Sequence, residues 1–334
     1  MISIFDNHFL VNYEECILDA FEFESGAVIE NAKVEYSTSG IPKYDDEGFI
    51  TNAIVFCPSL KGDRSILKNA HQYLKENGSF DKNEFFFITI TPLGAPGSCS
   101  PSSTGLKYRF PEFNFKDRVN FKRQFISEKF KINKILGILG EDLGGFETYT
   151  WACEYPDDME FILVFDSAFK TAGIRYAISK GLESIIDLAE GFYEDTYNVS
   201  LSNAIVALNK LLFTFSFPRK IIRNMSNKEM DVLMDDYVDE GLFMDVYDFK
   251  FRNDSILKYD VEDKLSNIKA KALIIASTNA DGYFNLKFDT LPLENLIENS
   301  KIVVYDSKVE KYDEFEDYSI IGDEVLSFLE EFKE

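Results

Sequence analysis

The stretch ILGEDLGGF, residues 138–146, places Gly140 and Gly144 around Asp142, directly after the strand-like run INKILGIL. The pattern G-x-S-x-G lifts a serine onto a sharp turn between a strand and a helix. Here the middle position holds an aspartate. The turn is therefore an active site with an unusual nucleophile, or what is left of one.

Working outward, short runs rich in β-branched and aromatic residues recur along the chain: FEFES, KVEYSTS, NAIVFCPS, EFFFITIT, KILGIL, FILVFDSA, KALIIAST and KIVVYDS. Their length and composition read as strands. The first two lie close together and predict a hairpin. From NAIVFCPS onward, strands alternate with helical stretches such as RSILKNAHQYLKENG and FKDRVNFKRQFISEKF. Such alternation predicts βα units and a mostly parallel sheet of about eight strands, covered on both faces. The rhythm lapses over roughly 176–265, where ALNKLLFTFSF and NKEMDVLMDDYVDEGLF read as helices, and resumes at KALIIAST. A helical insertion of that size is most simply a lid over the crevice at the carboxyl ends of the strands.

Composition narrows the partners. The 334 residues hold 58 acidic and 35 basic side chains, a net charge of -23. That field repels phosphate backbones and anionic membranes, so nucleic acid and lipid are not expected partners. No run approaches the ~18 apolar residues of a membrane span, and the N-terminus lacks a cationic start and a cleavage site. Cys16, Cys57, Cys99 and Cys153 are scattered without Cys-x-x-Cys spacing, which argues against a metal site or a disulfide framework and predicts a reducing cytoplasm. No Walker or Rossmann phosphate loop is present, and no cofactor is expected. Only two histidines occur, His8 and His71.

Several segments, in one order along nearly the whole chain, resemble the homoserine O-acetyltransferases of the α/β-hydrolase fold. ESGAVIENAKVEYSTSG is similar to that family's opening hairpin, and FCPSLKGD to its C-H-A-L-T-G-D segment. PLGAPGSCSPSS and YRFPEFNFKDRVNFKRQ resemble the family's L-G-x-x-x-G-S-x-x-P-S-S run and its F-P…D…Q continuation. GEDLGGFETYTWACEYPD is similar to the nucleophile elbow and the W-A-x-x-Y-P-D that follows it, and IRYAI and GFY to the lid entrance. The resemblance implies a core of residues 1–175 and 266–334 and a helical lid over 176–265.

In that family an elbow serine takes an acetyl group from acetyl-CoA and passes it to the homoserine hydroxyl, with a histidine as base and an aspartate orienting it. The resemblance places Asp142 at the serine, Asp281 at the triad acid and Tyr312, in KYDEF, at the histidine. It places the oxyanion-hole donors at the backbone N–H groups of Leu60 and Leu143. Arg175, in the R-x-A-I position, is a candidate grip for a substrate carboxylate, or else one partner of a surface ion pair. Trp151, Asp117 and Gln124 read as structural, and Ser98, Ser100, Ser102 and Ser103 as makers of turn hydrogen bonds.

Without serine and histidine the double displacement has neither nucleophile nor base. The expectation is a non-catalytic relative that keeps a pocket for an acyl-CoA or amino-acid-like ligand, or for a partner, with a homodimer through the lid helices. A competing expectation is an acyltransferase or hydrolase in which the Asp142 carboxylate attacks, since a carboxylate needs no activation and a helix N-terminus favours its ionised form. A third is a structural partner subunit of an active paralogue. The Asp142 carboxylate filling the oxyanion hole as an internal cap and an open hole both remain possible at this level.

Overall fold

A computed structural model describes residues 11–59, 80–194, 198–217, 222–242, 244–278, 284–306 and 321–333. Its strands are β1 (Asn12–Glu22), β2 (Val28–Gly40), β3 (Ala53–Cys57), β4 (Phe86–Ile90), β5 (Ile135–Glu141), β6 (Met159–Phe165), β7 (Lys271–Ser277) and β8 (Ser300–Tyr305). They form one sheet in the order β1-β2-β4-β3-β5-β6-β7-β8. β2 runs antiparallel to both β1 and β4, and every pair from β4 to β8 is parallel. The sheet is the expected one: eight-stranded, mostly parallel, α/β.

Burial on both faces explains why the central strands are almost wholly apolar. Two helices cover one face, α1 (Phe115–Lys129) and α2 (Leu143–Glu154). Val55, Ile138, Ile162, Val164 and Ile274 pack with Phe121 and Phe125 of α1 and Phe146 and Tyr149 of α2. The alternate residues Ile54, Leu139, Leu163, Leu273 and Ile275 pack on the other face with Val325, Phe328 and Leu329. At the sheet's first edge, β1 begins at Asn12, well before the FEFES run that marked it in the sequence. Glu14, Glu15, Asp19 and Glu22 are exposed along it while Leu18 and Phe21 are buried, so neither apolar composition nor strict alternation marks its first half. Charges on such an edge oppose pairing with another sheet.

Between β6 and β7 the described residues form helices and no β-strand: α3 (Gly173–Asp187), α4 (Val199–Ser216), α5 (Asn227–Gly241) and α6 (Val246–Leu257). They build their own apolar cluster, with Ile178, Leu182 and Ile186 of α3 against Leu201, Ile205 and Leu208 of α4 and Val246 and Phe249 of α6. Tyr237 joins α5 to α4 through Phe213. One sequence expectation fails here. The 18 residues of α4 have a mean hydropathy of 1.3 and are long and apolar enough to cross a membrane by those measures. Their apolar side chains Leu201, Ala204, Ile205, Leu208 and Phe213 are buried within the insertion. The helix α7 (Gly322–Glu330) closes the described chain against the sheet.

Candidate active site

Crossovers leave the sheet in opposite directions at β3 and β5, and an open α/β sheet has its binding crevice at such a switch point. Asp142 stands there, between the end of β5 and the start of α2, with φ 53° and ψ −120°. This is a strained conformation for any residue with a Cβ, and costs about 1–3 kcal/mol unless the surroundings impose it. The surroundings do. The Asp142 N–H donates to Phe165 O at 3.2 Å, and its carbonyl accepts from Gly145 N at 3.0 Å and from Ser167 Oγ at 2.7 Å. A Cβ on Gly140 would collide with the Gly144 carbonyl and Thr148 Oγ1, and one on Gly144 would collide with the Cys57 carbonyl of β3. The glycine frame is therefore a packing requirement of a helix that starts hard against two strands.

The Asp142 side chain makes no capping hydrogen bond to α2. Its carboxylate does not cap the helix it opens, which removes that half of the internal-cap reading. Leu143 is the first residue of α2 and is buried, so its N–H belongs to the first turn, whose donors have no acceptor inside the helix. Leu60, Asp281 and Tyr312, the remaining residues expected at the site, lie outside the described residues, as do His8, His71 and the helix expected over RSILKNAHQYLKENG.

Sequence reading missed Asp166, one strand over. It follows β6 as Asp142 follows β5, also at positive φ, 38°. Its N–H donates to Ile275 O at 2.9 Å, and its carboxylate accepts from Ser277 N at 2.6 Å and from Tyr305 OH at 3.4 Å. It ties the ends of β6, β7 and β8 together beside the elbow. The signal was present: in FILVFDSA an aspartate ends an apolar run, as in the elbow segment.

Behind the elbow, Glu147 of α2 pairs with both Arg118 and Lys122 of α1, and all three side chains are buried. Breaking such a group by removing its shared acid leaves uncompensated charge in the interior. Nearby cysteines offer no substitute nucleophile. Burial pushes the Cys57 thiol up to about 11 and the Cys99 and Cys153 thiols up to about 12, so they stay protonated at neutral pH.

Arg175, on the first turn of α3, is buried rather than part of a surface ion pair. Nη2 donates to Asp289 Oδ2 at 2.9 Å, and Nη1 donates to Lys170 O at 2.8 Å. The guanidinium carbon lies 4.8 Å from the Phe284 ring centroid and 5.9 Å from that of Phe146, one helical turn beyond Asp142.

No family model matches the chain. A protein of Methanothermobacter thermautotrophicus named a probable acyltransferase is 37% identical over 291 residues, covering 87% of this chain and 89% of its own. The chain belongs to the homoserine O-acetyltransferase-like acyltransferases of the α/β-hydrolase fold. The homoserine O-acetyltransferase of Corynebacterium glutamicum is 27% identical over 52% of this chain, and the match spans about half of that protein's own length, 48%. Among solved structures, an acetylester hydrolase from Corynebacterium glutamicum superposes with a TM-score of 0.81 at 20% identity, covering 96% of both chains. The homoserine O-acetyltransferase from Bacillus anthracis does so with a TM-score of 0.77 at 18% identity, covering 96% of this chain and 98% of its own. At these identities the structures speak for the fold alone.

Within this acyltransferase-like fold the remaining residues singled out by sequence are structural. Trp151 is buried and donates from Nε1 to Asp158 at 2.8 Å. Asp117 forms a reciprocal capping box with Asn114 at the start of α1 and accepts from Glu24 N; burial raises its pKa and these backbone bonds oppose the rise. Gln124 donates to Ala20 O at 2.9 Å. The serines close their own loop, with Ser103 Oγ donating to Ser98 O at 2.6 Å and Ser100 Oγ lying 3.2 Å from Ser102 Oγ. Ser102 then reaches the insertion, donating from N and Oγ to the Asp248 carboxylate of α6 at 2.8 and 2.5 Å.

Proposed function

We propose that this acyltransferase-like protein has lost serine-type double displacement and binds a ligand or partner without turning it over. The observation that supports the reading is Asp142 itself, on a retained elbow at φ 53° and ψ −120°, where the nucleophile stands in this fold. A carboxylate there cannot form the acyl-serine, and the chain's two histidines, His8 and His71, belong by sequence before the first strand and to the helix after the third. Tyr312 is aligned with the missing base, and a phenol, with a reference pKa of about 10, is a poor base at neutral pH. Asp281 is left without an imidazole to orient. The backbone donor of Leu143 depends on no side chain, so a carbonyl or anion site outlasts the loss of the triad. An acyl-CoA or amino-acid-like ligand is the class its relatives' names support. Purified protein assayed with acetyl-CoA and homoserine, and with activated aryl esters, should stay at the level of an inert-protein control.

A second reading is favoured by one feature. The strained turn is kept although the Asp142 carboxylate makes no capping bond to α2, and strain concentrates at working sites. In that reading the carboxylate attacks directly. Turnover in the wild type that Asp142→Asn abolishes would establish it and overturn the first.

Half-buried Leu212 and Phe215 of α4 and Leu233 and Met234 of α5 support a homodimer through these helices, which sedimentation velocity would test. Four unpaired cysteines favour a reducing cytoplasm as the site of action.

A further inference from the structure

The geometry points to Asp289 as the residue that sets ligand class: it occupies the Arg175 guanidinium from within, so the ligand of this site carries no carboxylate there. The inference rests on the reading that the crevice still binds a small ligand, but not on whether that ligand is turned over.

Three observations carry it. First, Arg175 carries the donors that a carboxylate needs. It lies in the first turn of α3 with its guanidinium carbon 5.9 Å from the ring of Phe146 on α2, and its fixed fork of donors suits a planar anion. Second, that capacity is taken up. Asp289 Oδ2 sits 2.9 Å from Nη2, and the Lys170 carbonyl accepts from Nη1. Third, Asp289 is held in place and does not simply drift over the cation. Its Oδ2 also accepts from Asn285 N at 2.6 Å within the short helical turn Leu286–Thr290, while Phe284, just before that turn, lies against the guanidinium. A ligand carboxylate would have to displace an ion pair already made, and would do so in the field of a chain with net charge -23. The Asp289 side chain keeps 13% of its surface exposed, so solvent reaches the acid side of the pair. Removing that acid opens the guanidinium to a small anion from outside.

The test is equilibrium binding of two probes, L-homoserine and 3-amino-1-propanol, which is the same amino alcohol without its carboxylate. Calorimetry or ligand-observed NMR on the full chain supplies the readout. Wild type should bind L-homoserine no better than 3-amino-1-propanol. Asp289→Ala should prefer L-homoserine by tenfold or more, and Asp289→Ala combined with Arg175→Gln should lose that preference. A tenfold preference already present in the wild type and lost in Arg175→Gln would overturn the proposal, because Arg175 would then serve the ligand despite Asp289. No gain of preference in Asp289→Ala would overturn it equally. Asp289→Asn keeps the shape of the side chain and serves as the second variant. Failure of both variants to fold would mark the pair as a strut and end its role in specificity. Because the readout is binding, a catalytically active wild type would leave this result untouched, and a negative result here would leave the reading of Asp142 standing.

Discussion

Two turns at the carboxyl edge of the sheet invite comparison, because each follows an apolar strand with an aspartate at positive φ. Asp166, after β6, directs its carboxylate to the Ser277 N–H and the Tyr305 hydroxyl and so joins three strand ends. Asp142, after β5, is tied in through its backbone: its N–H donates to Phe165 O, and its carbonyl accepts from Gly145 N and Ser167 Oγ. The first turn uses its side chain to join strand ends. The second takes its shape from glycines and neighbouring strands, and its side chain makes no capping bond to α2. A residue type at a strand end therefore says little until the partners of its carboxylate are known.

Substitutions can break or sharpen that contrast. The largest effect is expected behind the elbow, where Glu147→Ala strands Arg118 and Lys122 in the interior. Chemical denaturation should show a loss of about 3–5 kcal/mol, and a loss below about 1 kcal/mol would mean that the triplet does not anchor α2. Asp166→Ala should cost about 1–3 kcal/mol, since it leaves the Ser277 N–H without its acceptor. Asp142→Ala keeps the backbone bonds to Phe165, Gly145 and Ser167 and should cost less, and equal losses for the two would erase the comparison. Asp142→Gly should raise stability by about 1 kcal/mol, because relief of about 1–3 kcal/mol of backbone strain exceeds the added chain entropy of about 0.5–1 kcal/mol.

The smallest effect concerns pH. Burial raises the Asp248 pKa above its ordinary 3.8, against the lowering effect of its bonds from Ser102. An acid whose folded-state pKa is raised contributes stability that is present below 3.8 and lost as pH rises through the folded-state value. Wild type should therefore gain stability relative to Asp248→Asn as pH falls toward 3.8, and a difference independent of pH would contradict that sign.

Much of this fold is legible in the sequence because burial on two faces forces nearly continuous apolar strands, and all eight runs lie on strands or overlap their ends. The elbow is legible because close approach admits only glycine at Gly140 and Gly144. What escapes is whatever depends on distant partners. The N-terminal half of β1, at the edge of the sheet, is mostly exposed and carries no continuous apolar run. Arg175 looks like a substrate grip until Asp289, 114 residues away in sequence, is seen against it. Asp166 looks like the end of a strand until Ser277 and Tyr305 are found around its carboxylate. No local pattern encodes such contacts, since each is set by the order of strands in the sheet.

The proposed loss of serine-type chemistry predicts that a serine at 142 and a histidine at 312 are needed together to restore it. The direct test compares hydrolysis of an activated aryl ester by Asp142→Ser, Tyr312→His and the double variant under identical conditions. Asp142→Ser alone should stay inactive, because it supplies a hydroxyl without the histidine that takes its proton in serine-type chemistry. Tyr312→His alone should stay inactive, because a carboxylate beside an imidazolium favours an ion pair over acyl transfer. The double variant should show weak but measurable hydrolysis with a burst of product from an acyl-enzyme. Asp142→Ser as active as the double variant would contradict the account, since a base other than the residue at 312 would then serve the site.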